Sequence, residues 1–319
     1  MTIRTFVHTL RFEARDVIGI ELHPAEGGEL PAFTAGAHID LHLPGGLIRS
    51  YSLVNDCRER HRYVLGVLRE PQSRGGSRAV HEQLRIGTPV TVTEPRNQFP
   101  LHEEAAHSVL VAGGIGVTPL LCMARRLKAV GASFEVIYGA RSRKAAAFVD
   151  EILALGVPVH WHDDEVAGGP PNLHQLLQAR PGAGAAATHY YACGPAPMLD
   201  SFLAACSALG YGNAHIERFA AATPVEEVGS QQGFTVELRK SSRSFSVAPG
   251  QSILDVLLDA GVPASFSCQD GFCGSCETRV LEGEPEHRDS VLTEDERAAN
   301  KTMMICVSGC RGERLVLDL

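Results

Sequence analysis

No stretch of 18 apolar residues occurs in this chain of 319 residues, which excludes a transmembrane helix. The first residues, MTIRTFVHTLRFEARD, lack an apolar core flanked by cations. They alternate apolar and polar side chains and read as a first strand rather than a signal peptide. A cytoplasmic protein with no membrane partner is therefore expected. Cations are in the minority, 29 Lys and Arg against 37 Asp and Glu, for a net charge of −8. That balance argues against nucleic acid as a partner. No internal repeat occurs, and no low-complexity tract beyond the short PGAGAAA turn at 181–187. Nine cysteines in an unsecreted chain of this length argue against a disulfide scaffold and for metal ligands or free thiols.

What remains is ordinary soluble composition, 44% hydrophobic and 21% charged, on a length that suits two or three domains. Charge is uneven. From Gln232 to Leu319, Asp and Glu outnumber Lys and Arg by 14 to 9. An acidic last third suits docking to a basic patch, although solubility alone explains it as well.

Four of the cysteines carry the sharpest signal. Cys268, Cys273 and Cys276 are spaced C-x4-C-x2-C, and Cys306 follows after 29 intervening residues. This is the plant-type spacing of a [2Fe–2S] cluster. Gly271 and Gly274 let the loop curl around a cluster, and backbone N–H groups aimed at the sulfurs would stabilise its negative charge. Cys310 competes for the fourth place. Cys306 is preferred because it lies on the apolar run MMICVSG, read as a strand that buries the ligand, whereas GCRGE reads as a turn. Zinc fits poorly, because its structural sites favour paired C-x2–4-C knuckles. Cys57, Cys122 and Cys206 are scattered and read as small hydrophobes.

Three styles of sequence follow one another. Residues 1–101 carry short alternating segments broken by Gly and Pro (HIDLHLPGG, RYVLGVLRE, TPVTVTEP), which predicts a small antiparallel barrel. Residues 102–222 alternate strands (HSVLVAGG, SFEVIYGA, THYYACGP) with helices (TPLLCMARRLKAVG, PNLHQLLQAR, PMLDSFLAACSALG), which predicts a parallel sheet. Residues 223–231 hold no hydrophobic period and read as a linker. In 232–319, FTVELRKSSRSFSVAPG reads as a hairpin and QSILDVLLDAGV as an amphipathic helix before the cysteine loop.

Two glycine turns close strands of that parallel sheet. Gly113-Gly114-Ile115-Gly116-Val117-Thr118-Pro119 ends one strand and opens a helix, and Cys193-Gly194-Pro195 closes another. Glycine there admits a pyrophosphate to the backbone and to a helix N-terminus, and α/β sheets bind ligands at strand carboxyl ends. One such turn is a weak signal, because glycine serves strand-to-helix turns on steric grounds alone. Two are compatible with a nicotinamide dinucleotide. Arg141, Arg143 and Lys144 follow a third strand near an expected adenosine ribose and leave NADPH open. The plain reading of the last two is solvated helix-start residues.

Hydride brings two electrons and the cluster takes one, so a flavin is expected between them. Arg49-Ser50-Tyr51-Ser52 offers a phosphate partner, a ring to lie on the flavin and a hydroxyl for a ring nitrogen. Arg74-Gly75-Gly76-Ser77 precedes the expected helix AVHEQL and makes a second anion-binding turn. Each of these motifs alone is weak.

Taken together, RSYS, RGGS, EPRNQFPL, AGGIGVTPL, ACGP, ERF at Glu217–Phe219 and CQDGFCGSC with CVSG resemble one family over essentially the whole chain. It is the phthalate dioxygenase reductase and vanillate demethylase reductase group of the ferredoxin–NADP reductase superfamily. The resemblance implies a flavin-binding β-barrel, a nicotinamide nucleotide domain and a C-terminal β-grasp ferredoxin domain. It implies FMN, NADH and a terminal Rieske oxygenase as protein acceptor, for a chain acting as a monomer. It places Arg49, Tyr51 and Ser52 at the flavin, and Gly75, Gly76 and Ser77 at the flavin phosphate. Gly113, Gly114, Thr118 and Pro119 fall on the nucleotide loop, and Cys193, Gly194 and Pro195 beside the nicotinamide. Phe219 lies against the flavin ring. Ser52, Cys193 and Phe219 are the expected catalytic residues. A reductase for a cytochrome P450 or another one-electron acceptor is the alternative, and a non-catalytic [2Fe–2S] redox sensor a more distant one. The glycine turns and RSYS argue against the sensor, which needs no hydride path.

Overall fold

The structure, a computed structural model, describes residues 2–71, 75–180, 184–220, 230 and 232–319. Arg74 of the RGGS turn and the expected linker 223–231, apart from Ser230, lie outside these residues. The chain forms two compact units, Met1–Glu217 and Arg218–Leu319.

The first unit opens with six strands: β1 (Thr2–Ala14), β2 (Val17–Pro24), β3 (His38–His42), β4 (Ile48–Ser52), β5 (Tyr63–Leu68) and, after helix α1 (Gly76–Gln83), β6 (Pro89–Thr93). They pair antiparallel in the order β4-β3-β6-β1-β2-β5. The two edges meet just past β4, where Leu53 bridges Leu65 and the Val54 N–H donates to the Val64 carbonyl at 2.9 Å. That closure makes the sheet a barrel and removes its open edges. Inward residues of the alternating pattern, among them Val7, Ile20, Leu22, Ile39, Leu41, Leu65 and Val92, fill it.

The rest of this unit alternates strands and helices: β7 (His107–Gly113), α2 (Val117–Val130), β8 (Phe134–Ala140), α3 (Val149–Ala154), β9 (Val159–Asp163), α4 (Asp164–Ala167), α5 (Leu173–Gln178), β10 (Thr188–Cys193), α6 (Ala196–Leu209) and β11 (Ala214–Glu217). All five strands are parallel, in the order β11-β10-β7-β8-β9. Both faces are covered, which explains the near-continuous apolar strands. Val109, Val111, Ile137 and Tyr190 face α5 and α6. Leu110, Ala112, Tyr138 and Tyr191 share a core with the barrel. Strand order reverses between β7 and β10. The crevice beyond their carboxyl ends is where this topology leaves room for a ligand.

The second unit comprises β12 (Phe234–Leu238), β13 (Arg243–Val247), α7 (Ile253–Asp259), β14 (Glu277–Glu282), β15 (Pro285–Glu286), α8 (Glu294–Ala299), β16 (Thr302–Met304), β17 (Gly309–Cys310) and β18 (Arg314–Leu317). Its main sheet runs β13-β12-β18-β14-β16, mixed because β12 and β18 are parallel. Ile253, Leu254 and Leu257 of α7 are buried with Val236, Leu315 and Leu317. Ser252 starts that helix by accepting the Asp255 N–H at 2.9 Å. The expected hairpin is β12–β13. The run MMICVSG differs from expectation. Its strand stops at Met304 and Cys306 sits in the following turn, which gives the chain the freedom to aim that thiol at the cysteine loop.

Candidate functional site

Gly113 ends β7, Gly114 opens the 3-10 turn after it, and Cys193 ends β10, side by side with β7 at the reversal of strand order. The two turns nearly touch. A Cβ on Gly116 would stand 2.1 Å from the Cys193 carbonyl oxygen and 2.6 Å from the Gly194 nitrogen. These are backbone atoms with nowhere to go, so only glycine lets α2 begin there. Thr118, buried in the first turn of α2, donates to the Ile115 carbonyl at 3.0 Å, and Pro119 follows it inside the helix. Gly194 and Pro195 lead into α6, with Pro195 as its N-cap. Arg141 lies just past β8, exposed, its carbonyl accepting the Glu165 N–H of α4 at 3.0 Å.

On the barrel side, Arg49, Tyr51 and Ser52 all fall on β4. Arg49 lies across Gly76 at the start of α1, since a Cβ there would meet its Cγ at 2.5 Å. Gly75 caps that helix at φ +98°, a left-handed conformation that a side chain would strain. Ser77 has a turn-building role, its Oγ accepting the Glu70 N–H at 3.1 Å. Behind β4, the Ser50 hydroxyl donates to Asp40 at 2.7 Å and the Arg96 guanidinium meets the same carboxylate at 2.5 Å. The EPRNQF segment thus stiffens the strand that carries the RSYS motif.

The barrel and the parallel sheet meet at Ser52. Its hydroxyl donates to the Glu217 carboxylate at 3.4 Å. Glu217 ends β11 and pairs in register with Cys193. Burial pushes the Glu217 carboxyl up to about 8, against the pull of the Ser52 hydrogen bond. Burial, and after it Glu217, holds the Cys193 thiol well above its usual range. Both groups therefore stay protonated at neutral pH, and the crevice carries no net charge from them. Sequence reasoning placed Ser52 and Cys193 here but gave Glu217 no role. The available signal was a polar residue ending an edge strand. Phe219 falls in the second unit, 38% exposed.

In that second unit Cys268, Cys273, Cys276 and Cys306 are all buried. The Cys268 N–H points at the Cys273 sulfur and the Asp270 N–H at the Cys268 sulfur, each at 3.4 Å. Cys276 and Cys306 bring their sulfurs to 3.0 Å. Gly271, at φ +70°, presses against the neighbouring chain. A Cβ there would meet Val307 Cγ2 at 2.6 Å, and its carbonyl accepts the Ser290 N–H at 2.8 Å. Converging buried thiols with backbone donors aimed at sulfur are the donor set a [2Fe–2S] cluster needs. Cys310 is engaged elsewhere. It sits on β17, and its sulfur accepts the Gly312 N–H at 3.3 Å.

Comparison with known proteins agrees. Residues 236–311 match the model of a 2Fe-2S iron-sulfur cluster binding domain. Phenoxybenzoate dioxygenase subunit beta of Ectopseudomonas oleovorans is 49% identical over 98% of this chain and 96% of its own. The solved structure titled phthalate dioxygenase reductase, a modular structure for electron transfer from pyridine nucleotides to [2Fe-2S], is 38% identical. It matches all of this chain and 98% of that one, at a TM-score of 0.74. The chain belongs to the phthalate dioxygenase reductase family. As a member of it, the protein is a flavin and iron–sulfur oxidoreductase. An intact type IV self-sufficient cytochrome P450 monooxygenase also contains this architecture, at 37% identity and a TM-score of 0.87. There the match spans all of this chain and only 41% of that one.

Proposed function

We propose that this reductase supplies electrons to the terminal Rieske oxygenase of a two-component aromatic oxygenase, drawing them from NADH through FMN and a [2Fe–2S] cluster. The observation that carries the reading is the meeting of three strand ends: Ser52 of the barrel, and Cys193 and Glu217 of the parallel sheet, at the reversal of strand order. When bound, FMN would supply two-electron hydride chemistry and the cluster one-electron transfer. All else falls to the chain's own residues, organised as modules over 1–101, 102–222 and 232–319 with a linker at 223–231.

Arg49 pairs with the flavin phosphate, and the N–H groups at Gly76 and Ser77 add the dipole end of α1. Gly75 gives the backbone its turn. Tyr51 offers its ring to the flavin, and Ser52 offers its hydroxyl to a ring nitrogen. Gly113, Gly114 and Thr118 admit the dinucleotide to the first turn of α2, and Arg141 meets its ribose. Gly194 and Pro195 shape the turn after Cys193, the residue that would face the nicotinamide. The uncharged Cys193 thiol and protonated Glu217 let an apolar ring approach without desolvating an ion. Cys268, Cys273, Cys276 and Cys306 hold the cluster. The protein works in the cytoplasm as a monomer and binds no organic substrate of its own.

The test is anaerobic mixing of the holoprotein with NADH. Flavin bleaching, cluster reduction and electron delivery to a Rieske oxygenase support the reading, and absence of flavin bleaching refutes it. A cytochrome P450 is the second acceptor to try, because the self-sufficient monooxygenase carries the same architecture in one chain.

A further inference from the structure

Three histidines from three separate segments converge at the end of β10 and β11 opposite Cys193 and Glu217. His189 is the second residue of β10 and His215 the second of β11. His102 lies in the connection from β6 to β7. One ligand nitrogen from each lies within 4.8 Å of the other two. His189 Nδ1 and His215 Nε2 are 3.0 Å apart, with ring centroids 5.2 Å apart and ring planes within 8°. The His102 ring covers both, its centroid 4.7 Å from that of His189 and 4.9 Å from that of His215.

We propose that His102, His189 and His215 form a site for one divalent transition-metal ion of the zinc class, separate from the flavin, nucleotide and cluster sites. Zinc–imidazole bonds of about 2.0–2.1 Å place neighbouring nitrogens roughly 3.4 Å apart in a tetrahedron. The 3.0 Å between His189 Nδ1 and His215 Nε2 is close to that spacing, and the His102 nitrogen lies within 4.8 Å of both. Three neutral imidazoles without a carboxylate suit Zn²⁺, Ni²⁺ or Cu²⁺ and disfavour Mg²⁺ and Ca²⁺. The proton now shared between His189 and His215 moves to that ring's other nitrogen, so binding needs no further acceptor. His102 is exposed and the other two partly so, leaving an entry path and a fourth position for water.

The surroundings hold the ligands in place. The Tyr191 hydroxyl accepts the His102 backbone N–H at 2.9 Å, and the Tyr191 ring stacks on His215 at 4.8 Å. A second group, His8, Glu21 and His23, also brings ligand atoms together, but it is already satisfied. Its Glu21 carboxylate takes His23 Nε2 at 2.6 Å and Arg62 Nη1 at 2.9 Å. Its two imidazoles stack face to face at 4.0 Å.

The experiment is calorimetric titration of holoprotein, flavin and cluster in place, with Zn²⁺, while iron content and visible spectrum are followed. One saturable ion per chain is expected, with a rise in the thermal midpoint. Binding should vanish in His189→Gln and His215→Gln and persist in His8→Gln. The surface substitution His102→Gln, which touches no core packing, should weaken binding by more than about tenfold, the lower bound for losing even an outer partner of a metal ligand. No saturable binding in the wild type overturns the proposal. So does binding that survives His189→Gln, disappears with His8→Gln, or is unmoved by His102→Gln.

Discussion

Ser52 and Glu217, 165 residues apart in sequence, share a hydrogen bond of 3.4 Å between barrel and parallel sheet. Ser52 ends β4 and Glu217 ends β11, so two independently built sheets deliver their last residues to one spot. Cys193, paired in register with Glu217, completes the group.

The buried Glu217 carboxyl makes stability depend on pH. Its folded value is raised from 4.5 to about 8, so the folded state holds the proton more tightly than the unfolded one. The stability this contributes is full below 4.5 and is lost as pH rises through about 8. Glu217→Gln removes the loss. Thermal unfolding followed by flavin release should shift in favour of the variant between about pH 5 and about pH 9. Parallel profiles for variant and wild type would contradict a proton on Glu217.

Removal of single thiols separates Cys306 from Cys310. Cys306→Ser should lose cluster iron and visible absorbance while NADH still bleaches the flavin. Cys310→Ser should keep both irons, because its sulfur is engaged by its own turn, accepting the Gly312 N–H and donating to the Arg314 carbonyl. Iron analysis beside the visible spectrum checks this, and a retained cluster in Cys306→Ser would reassign the fourth ligand.

Gly116→Ala tests the crevice. Its methyl would meet the Cys193 carbonyl oxygen at 2.1 Å and the Gly194 nitrogen at 2.6 Å, so two strand ends must part. Overpacking of this kind costs about 1–3 kcal/mol. The thermal midpoint should fall, and the apparent affinity for NADH with it, measured by flavin bleaching at rising nucleotide concentration. The cluster spectrum should be unchanged.

Arg49→Ala should release flavin on desalting, read as loss of flavin absorbance against an unaltered iron content. Gly76→Ala should act the same way more weakly, since its methyl would meet Arg49 Cγ at 2.5 Å and a flexible side chain can swing aside. Undiminished flavin in Arg49→Ala would remove that residue from the phosphate site.

Much of this was legible in the residues. Period-two segments before residue 101 became barrel strands, and HSVLVAGG and THYYACGP became adjacent parallel strands. TPLLCMARRLKAVG became α2, closed by Gly131 at φ +72°. Local signals of this kind survive because strand and helix periods show in short stretches. The run holding Cys306 misled, because apolar residues around a buried turn look like strand. Glu217 sits in the ERF motif, and nothing in its neighbours announces its burial. The three histidines carried no signal at all.

The elements, the glycine turns and the C-x4-C-x2-C loop were set by the residues alone, because each depends on residues within a few positions of one another. Which distant elements meet follows only from the folded arrangement. Strand order reverses between β7 and β10, and that crossover sets the Gly116 turn against Cys193. Parallel register then puts Glu217 beside Cys193 and His215 beside Tyr191. Barrel closure carries Ser52 to the same crevice. Such meetings join residues separated by up to 165 positions through topology and packing, and no local pattern encodes them.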